Sequence, residues 1–429
     1  MLTGPFPRAV VAALLIVASR EVSAQEPLAG PPDALPPLKP PAVLQRADFG
    51  LSVYQGFDRL VATDETFRSD PRFLQDSGLS SVNGTLGYNR HSHDVDFAVS
   101  GGGDLRYYTV VPDMVPVDLF GSSSVSSRFT RRTRVHAGGS VSYSPYYSFG
   151  GVLEPRSDNV SLLAPSTEQN VARLDTLTYD LSGGLTWVPT RKSTVDFSYT
   201  GNFVDTDAFT YRSFTNSVNS RYSYRTTRYS TFHAGYGLRN TQLGGFSRRM
   251  LIHDIDVGFG YGRPLSFSRH TFVGFSVGSS LIDESTYNSF VVTGEASLTH
   301  QLTRRWLTSA YYRRDVDAFA GALDLFVTDS VSGSVTGAFS RKVTFSANGA
   351  FSSGRLANGI TNGYQSASGG SRLSYLVTRH IPIYVEYVFY HYDFDRTIGL
   401  APGFPLLTTR HGLRVGMSYN VPLMGRRTR

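Results

Sequence analysis

The sequence predicts an all-β fold, a transmembrane antiparallel up-and-down β-barrel of about eighteen strands. Three observations carry that expectation. Apolar and polar residues alternate with a period of two through most of the chain. Short Arg-rich turns recur about every 36 to 41 residues. Between those turns lie longer segments rich in Asp, Asn, Ser and Gly.

The alternation starts at Asp48, where Phe49, Leu51, Val53 and Phe57 share one face and Asp48, Gly50 and Ser52 the other. It returns in Val95, Phe97 and Val99, in Leu181, Leu185 and Trp187, and in Val195, Phe197, Tyr199 and Phe203. Further segments are Phe232 to Leu238, Ile255 to Tyr261, Val343 to Phe351 and Leu413 to Tyr419. Successive side chains of a strand point to opposite faces, so each segment presents one apolar face and one polar or small face. No helical periodicity is sustained.

The Arg-rich turns are Asn89 to His93, Arg131 to Arg134, Pro189 to Lys192, Arg225 to Arg228, Pro264 to His270, Leu302 to Arg305, Ser340 to Lys342 and Val377 to His380. One spacing is longer, where residues 150–172 are inserted. Eight tight turns join sixteen strands, and one more strand at each end gives about eighteen, an even number with both ends on one side of the membrane. Tight turns on one rim and long loops on the other are the asymmetry of an outer-membrane barrel. A soluble β-propeller also repeats at about 40 residues. Its packed sheets would have to bury the Asp and Arg that alternate with the apolar positions, at a cost the barrel avoids.

Composition agrees. The chain has 429 residues, only 17% of them charged, with 28 Phe, 25 Tyr and no Cys. Absence of Cys excludes a disulfide scaffold, a thiolate metal site, a Cys nucleophile and a lipid anchor on an N-terminal cysteine. Of 41 basic residues only Lys39, Lys192 and Lys342 are lysine. The net charge of +7 resolves largely into arginines at spaced turns rather than one patch, so nucleic acid is not an expected partner. At those turns the guanidinium groups can reach lipid phosphates while their stems cover apolar surface.

Residues 1–24 read as a signal peptide, with Arg8 ahead of the apolar run Ala9 to Ala18 and the small residues Val22-Ser23-Ala24 before Gln25. Residues 25–47 form a Pro-rich periplasmic leader. The barrel is expected over 48–423, followed by a basic C-terminal tail at 424–429.

The pattern over 48–423 resembles Gram-negative outer-membrane β-barrel proteins, and among them porin-like barrels of the type associated with exopolysaccharide export. The last strand carries a segment similar to the barrel-assembly signal, with Arg414, Gly416, Tyr419 and Val421 at alternate positions. Such proteins usually end in an aromatic residue, whereas this chain runs on through Met424 to Arg429. The resemblance implies location in the cell outer membrane. It also implies contact with membrane lipid and lipopolysaccharide, assembly by the barrel-assembly machinery, and a channel for small hydrophilic solutes or polysaccharide.

A barrel of this size is too wide for its own side chains to fill, so a water-filled passage is expected. Candidate lumen-lining residues are those opposite the apolar stripes. The acidic set is Asp94, Asp96, Asp180, Asp196, Asp254, Asp256, Glu295 and Glu386. The basic set is Arg128, Arg221, Arg239, Arg372 and Arg414. Both signs occur, so the wall charges are expected to pair with one another and no ion selectivity follows. The inserted segment 150–172 is the main candidate for narrowing the passage. Tyr88, Trp187, Tyr224, Tyr261, Phe339 and Tyr375 lie beside the turns, where an interfacial aromatic girdle belongs.

Enzymatic signatures are weak. No Gly-x-Ser-x-Gly elbow or phosphate loop is present. The His91-Ser92-His93-Asp94 run is too ordinary to define a metal site, so neither catalytic nor metal residues nor a cofactor are expected. The alternatives to a channel are a closed structural or adhesive barrel whose external loops bind a partner and, less favoured, a barrel hydrolase.

Overall fold

The computed structural model describes residues 43–59, 76–109, 115–145, 147–148, 170–172, 175–206, 212–243, 248–261, 271–284, 287–317, 325–358, 363–395, 398 and 406–428. The signal peptide, most of the Pro-rich leader and the segment 150–169 lie outside them. The strands are β1 Val43–Arg59, β2 Ser77–His91, β3 Val95–Tyr108, β4 Val117–Thr130 and β5 Thr133–Ser144. Two short pieces, β6 Tyr147–Ser148 and β7 Asn170–Ala172, make a separate small ribbon. Then follow β8 Thr176–Thr190, β9 Ser193–Thr206, β10 Ser213–Arg225, β11 Ser230–Leu243, β12 Arg248–Tyr261 and β13 Thr271–Glu284. The remainder are β14 Tyr287–Thr303, β15 Trp306–Asp317, β16 Phe326–Ala338, β17 Val343–Leu356, β18 Gly363–Thr378, β19 Ile381–Phe394 and β20 Leu407–Thr428.

All strands but β6 and β7 belong to one 18-stranded antiparallel sheet in which each pairs with its chain neighbours. Pairing of β1 with β20 from Val43–Thr428 to Arg59–His411 closes it into a barrel. The alternation read from the sequence becomes an inside and an outside. Leu51, Val53, Phe57, Leu181, Phe197, Ile255, Val257, Phe275, Val277, Leu413 and Val415 are exposed on the outer wall, where lipid replaces water. Their neighbours in sequence point inward.

The tight turns fall at seven of the eight expected places, and the eighth, between β12 and β13, lies outside the described residues. Six share one construction. The hydroxyls of Thr130, Thr190, Thr227, Thr303, Ser340 and Thr378 each accept the backbone N–H two residues on, from Arg132, Lys192, Tyr229, Arg305, Lys342 and His380, at 3.1 to 3.4 Å. A hydroxyl doing this holds the reversal without a glycine. In four of them the ladder also slips by one residue just before the turn. The residue left over, such as Phe129, Leu302 or Val377, stands exposed on the outer wall. Trp187, Tyr224, Phe339 and Tyr375 are exposed at the same rim, as a girdle requires.

The boundaries differ from the expectation in three ways. First, β1 begins at Val43 and β20 runs to Thr428, so the last leader residues and the basic tail pair with each other beyond a bulge at Ala47/Asp48. Leu423, skipped by that bulge, is exposed. Second, strands extend well into the expected loops, so that only 285–286 separate β13 from β14. Third, β15 leaves the wall. Its pairing with β14 stops at Gly294–Arg314, whereas its pairing with β16 continues to Asp317–Phe326. The outer end of the β15–β16 hairpin instead folds into the barrel, where Val316, Leu325 and Val327 join Met250, Ile252, Ile282 and Val291 in one buried apolar cluster.

Glycine meets a space requirement on the inner wall at Gly416. A Cβ there would lie 2.5 Å from the Tyr384 ring and 2.7 Å from Tyr54. Overpacking of this kind costs roughly 1–3 kcal/mol. Gly416→Val is therefore expected to lower the temperature at which the folded, compact band disappears on a denaturing gel. Ser418→Ala, on the same strand, serves as the control.

Candidate functional site

The site is the inner wall, which divides into two arcs. Along β18–β20 and β1–β4 the inward side chains are long and pack closely. Glu386 sits at the centre of the first cluster, its side chain 1% exposed. It accepts from Arg372 Nη2 at 2.8 Å and Nε at 3.2 Å, and Arg414 Nη1 lies 3.9 Å away on the other side. The two guanidinium groups lie over aromatic rings, Arg372 at 4.5 Å from the Tyr384 centroid and Arg414 at 5.1 Å from that of Tyr54. Nearer the loop end, Arg410 pairs with Asp58 and donates to Tyr108 Oη at 3.3 Å. Arg106 bridges Asp104 at 2.7 Å and Asp118 at 2.5 Å, and Ser81 donates to Asp104. These ion pairs join neighbouring strands, the Arg410–Tyr108 hydrogen bond reaches from β20 to β3, and together they fasten the closing joint from inside.

Along β5–β15 the inward residues are small and more open to water, chiefly Ser, Thr, Gly and Asn. Asp180 accepts from Ser140 at 2.9 Å and Asn202 at 2.8 Å, and Asp196 from Thr186 at 2.8 Å. Arg221 donates to Asp256 at 2.6 Å across the intervening β11, whose His233 lies 3.4 Å from the same carboxylate. Glu295 accepts from Tyr311 at 2.8 Å. Arg239 donates to Asp254 at 3.0 Å, while Ser280 fills the other oxygen of that carboxylate at 2.5 Å.

Arg239 also reaches β15, four strands further round the wall. Its Nη1 donates to the Val316 carbonyl at 2.6 Å, and Asp315 lies 3.9 Å from Nη2. Asp315 in turn pairs with Arg313, which has Asp317 at 3.7 Å. The inward-folded hairpin thus narrows the loop end of the interior. The segment expected to do so, 150–172, lies for the most part outside the described residues.

Most of the residues singled out from the sequence occupy this inner wall. Two sit at its turn-end margin, with Asp96 paired to His91 and Arg128 exposed on the last residues of β4. Asp94 is not on the wall. It belongs to the turn between β2 and β3, beside His93 at 3.8 Å, because β3 starts one residue later. In the assembly segment Arg414 and Gly416 face inward and Tyr419 outward, with Val421 near the bulge. Sequence reasoning missed Asp58, Asp104, Arg106, Asp118, Arg313, Asp315, Asp317 and Arg410. Their own alternation, as in Asp104-x-Arg106 and Arg313-x-Asp315-x-Asp317, was the available signal. Among the described residues no group of three or more His, Asp or Glu could hold a metal ion.

A closed antiparallel barrel with an apolar outer belt and a charged, hydrogen-bonded inner wall defines a transmembrane β-barrel with a porin-like fold. No family model matches the chain, and no curated protein matches it. Among solved structures it is similar to Pseudomonas aeruginosa OccK2 (OpdF) in complex with glucuronate. That alignment covers 89% of this chain and 98% of the other at 12% identity, with a TM-score of 0.45. A BenF-like porin from Pseudomonas fluorescens Pf-5 aligns over 88% and 99% at 10% identity and a TM-score of 0.47. Pseudomonas aeruginosa OpdO aligns over 89% and 98% at 13% identity and 0.44. At these identities no residue role passes from them to this chain.

Removal of Glu386 tests the inner network. Glu386→Gln removes the carboxylate that Arg372 and the 1%-exposed Arg414 share, and breaking a buried pair from one side costs roughly 3–5 kcal/mol. Urea unfolding in detergent micelles is expected to shift to a lower midpoint. Asp180→Asn, in the water-facing arc, is expected to shift it by less than about 1 kcal/mol.

Proposed function

We propose that the protein is an outer-membrane channel through which small hydrophilic solutes diffuse. The observation that carries the reading is the two-faced wall. An apolar exterior commits the barrel to lipid, and the water-facing arc of Ser, Thr, Asn and Asp along β5–β15 offers a solute hydrogen-bond partners in place of its hydration shell. The mechanism is passage along that arc, narrowed at the loop end by the β15–β16 hairpin. No chemical step is required of the wall, whose carboxylates and guanidinium groups are engaged mainly with one another. The exported chain and its contacts with lipopolysaccharide and the assembly machinery belong to the same reading.

Purified protein in planar bilayers is expected to give discrete conductance steps. Correctly folded, heat-modifiable protein that fractionates with the outer membrane yet conducts nothing would overturn the channel and favour a closed barrel.

A further inference from the structure

One of the seven described tight turns leaves the outer wall beside it open. At four of the others the residue displaced by the slip in the ladder, such as Phe129, Leu302 or Val377, stands on that wall. Two more carry an exposed aromatic residue in the turn itself, Tyr229 between β10 and β11 and Phe339 between β16 and β17. Phe339 packs on Trp306 with ring centroids 5.0 Å apart. The turn between β2 and β3 has neither device. Its ladder reaches His91–Asp96 without a slip, and Ser92, His93 and Asp94 are all polar. The Ser92 hydroxyl is engaged in the turn, accepting from the Val95 N–H at 3.1 Å and donating to the Val95 carbonyl at 2.7 Å.

The space left open is a groove of about 440 Å³ lined by Tyr88, Arg90, Ser92, Val95, Phe97 and Val125. Arg90 stands opposite Phe97, and Phe97 opposite Val125, so the groove crosses β2, β3 and β4 on their outer face. Val95, Phe97 and Val125 are exposed there, where lipid replaces water. The ring of Tyr88 lies tilted beside that of Phe97, with centroids 6.3 Å apart. Arg90 is the one charged residue of the lining. It is exposed, and among the described residues its side chain makes no hydrogen bond or ion pair. The nearby carboxylates already face histidines, Asp96 with His91 and Asp94 with His93 at 3.8 Å.

An apolar trough with a guanidinium group at its waterline end matches an acyl chain joined to a phosphate. Arg presents a planar fork of donors to phosphate oxygens while its stem covers apolar surface. The lining has no carboxylate to receive an ammonium group, so a head of net negative charge fits better than a zwitterionic one. Resting on the outer-membrane location proposed above, and not on conduction, we propose that this groove binds one anionic phospholipid of the periplasmic leaflet. Arg90 holds the phosphate, and an acyl chain lies along Val95, Phe97 and Val125.

The test uses the full chain in a phosphate-free, non-ionic detergent. Phosphatidylglycerol or phosphatidylcholine with the same acyl chains is added, and native mass spectrometry follows uptake of the first lipid. Heat-modifiable migration confirms that each variant is folded. The unaltered protein is expected to bind phosphatidylglycerol at least fivefold more tightly than phosphatidylcholine. Arg90→Ala should remove that preference. Val125→Trp, which fills the groove and keeps the charge, should weaken phosphatidylglycerol binding at least fivefold. Arg341→Ala, in the turn between β16 and β17, should change neither. Equal affinity of the unaltered protein for the two lipids, or a preference that survives Arg90→Ala, would overturn the site. Undiminished binding by Val125→Trp would overturn the groove, since charge on an open surface would then suffice. Protein missing from the outer-membrane fraction of cells would refute the location, while the lipid titration still decides whether the groove holds a phospholipid.

Discussion

Inside a bilayer the backbone has no water to bond, so every peptide group must find its partner in the wall. The rest of this structure depends on that constraint. It is met by eighteen strands paired neighbour to neighbour and by the joint between β1 and β20, which leaves no edge along the lipid-facing height. The joint is also where the inner wall is most heavily bonded. Glu386 between Arg372 and Arg414, Arg410 on Asp58, and Arg106 between Asp104 and Asp118 all lie within a few strands of it. Among the described residues the ladder between β14 and β15 ends at Gly294–Arg314.

The same alternation that supplies a lipid-facing side chain at every second position forces the others inward. A barrel this wide cannot fill itself with small side chains, and the chain answers differently in its two arcs. Near the joint, Tyr and Arg reach far enough to touch across several strands and exclude water. Opposite, Ser, Gly and Asn leave room. The charged groups are compatible with both arcs because the inner-wall guanidinium groups of Arg106, Arg221, Arg239, Arg313, Arg372, Arg410 and Arg414 each lie within 4 Å of a carboxylate, so burial is offset by pairing rather than left uncompensated.

Fold and turns were legible in the sequence because lipid enforces period two strictly and because most of the tight turns place Arg beside a Ser or Thr. Strand ends at the loop rim were harder. Above the lipid, the outer face no longer has to be apolar, so Arg313 to Asp317 and the Asp104-x-Arg106 run read as polar loop although both are regular strand. Met250 and Ile252 break the rule from the other side: they are apolar yet point inward, since their partner is the folded-in hairpin and not lipid. That packing joins residues about 65 positions apart, which no local pattern discloses. Asp94 shows the smallest such error, where one residue of boundary separates a wall position from a turn.

The shared construction of the tight turns has a consequence for how the molecule floats. Hydroxyl, guanidinium and displaced apolar residue recur at one rim, so that rim draws the waterline on the protein. The opposite rim carries connections of very different lengths. Lengthening or trimming those connections would therefore leave the immersion depth unchanged, since the draught of the barrel is set from the other side.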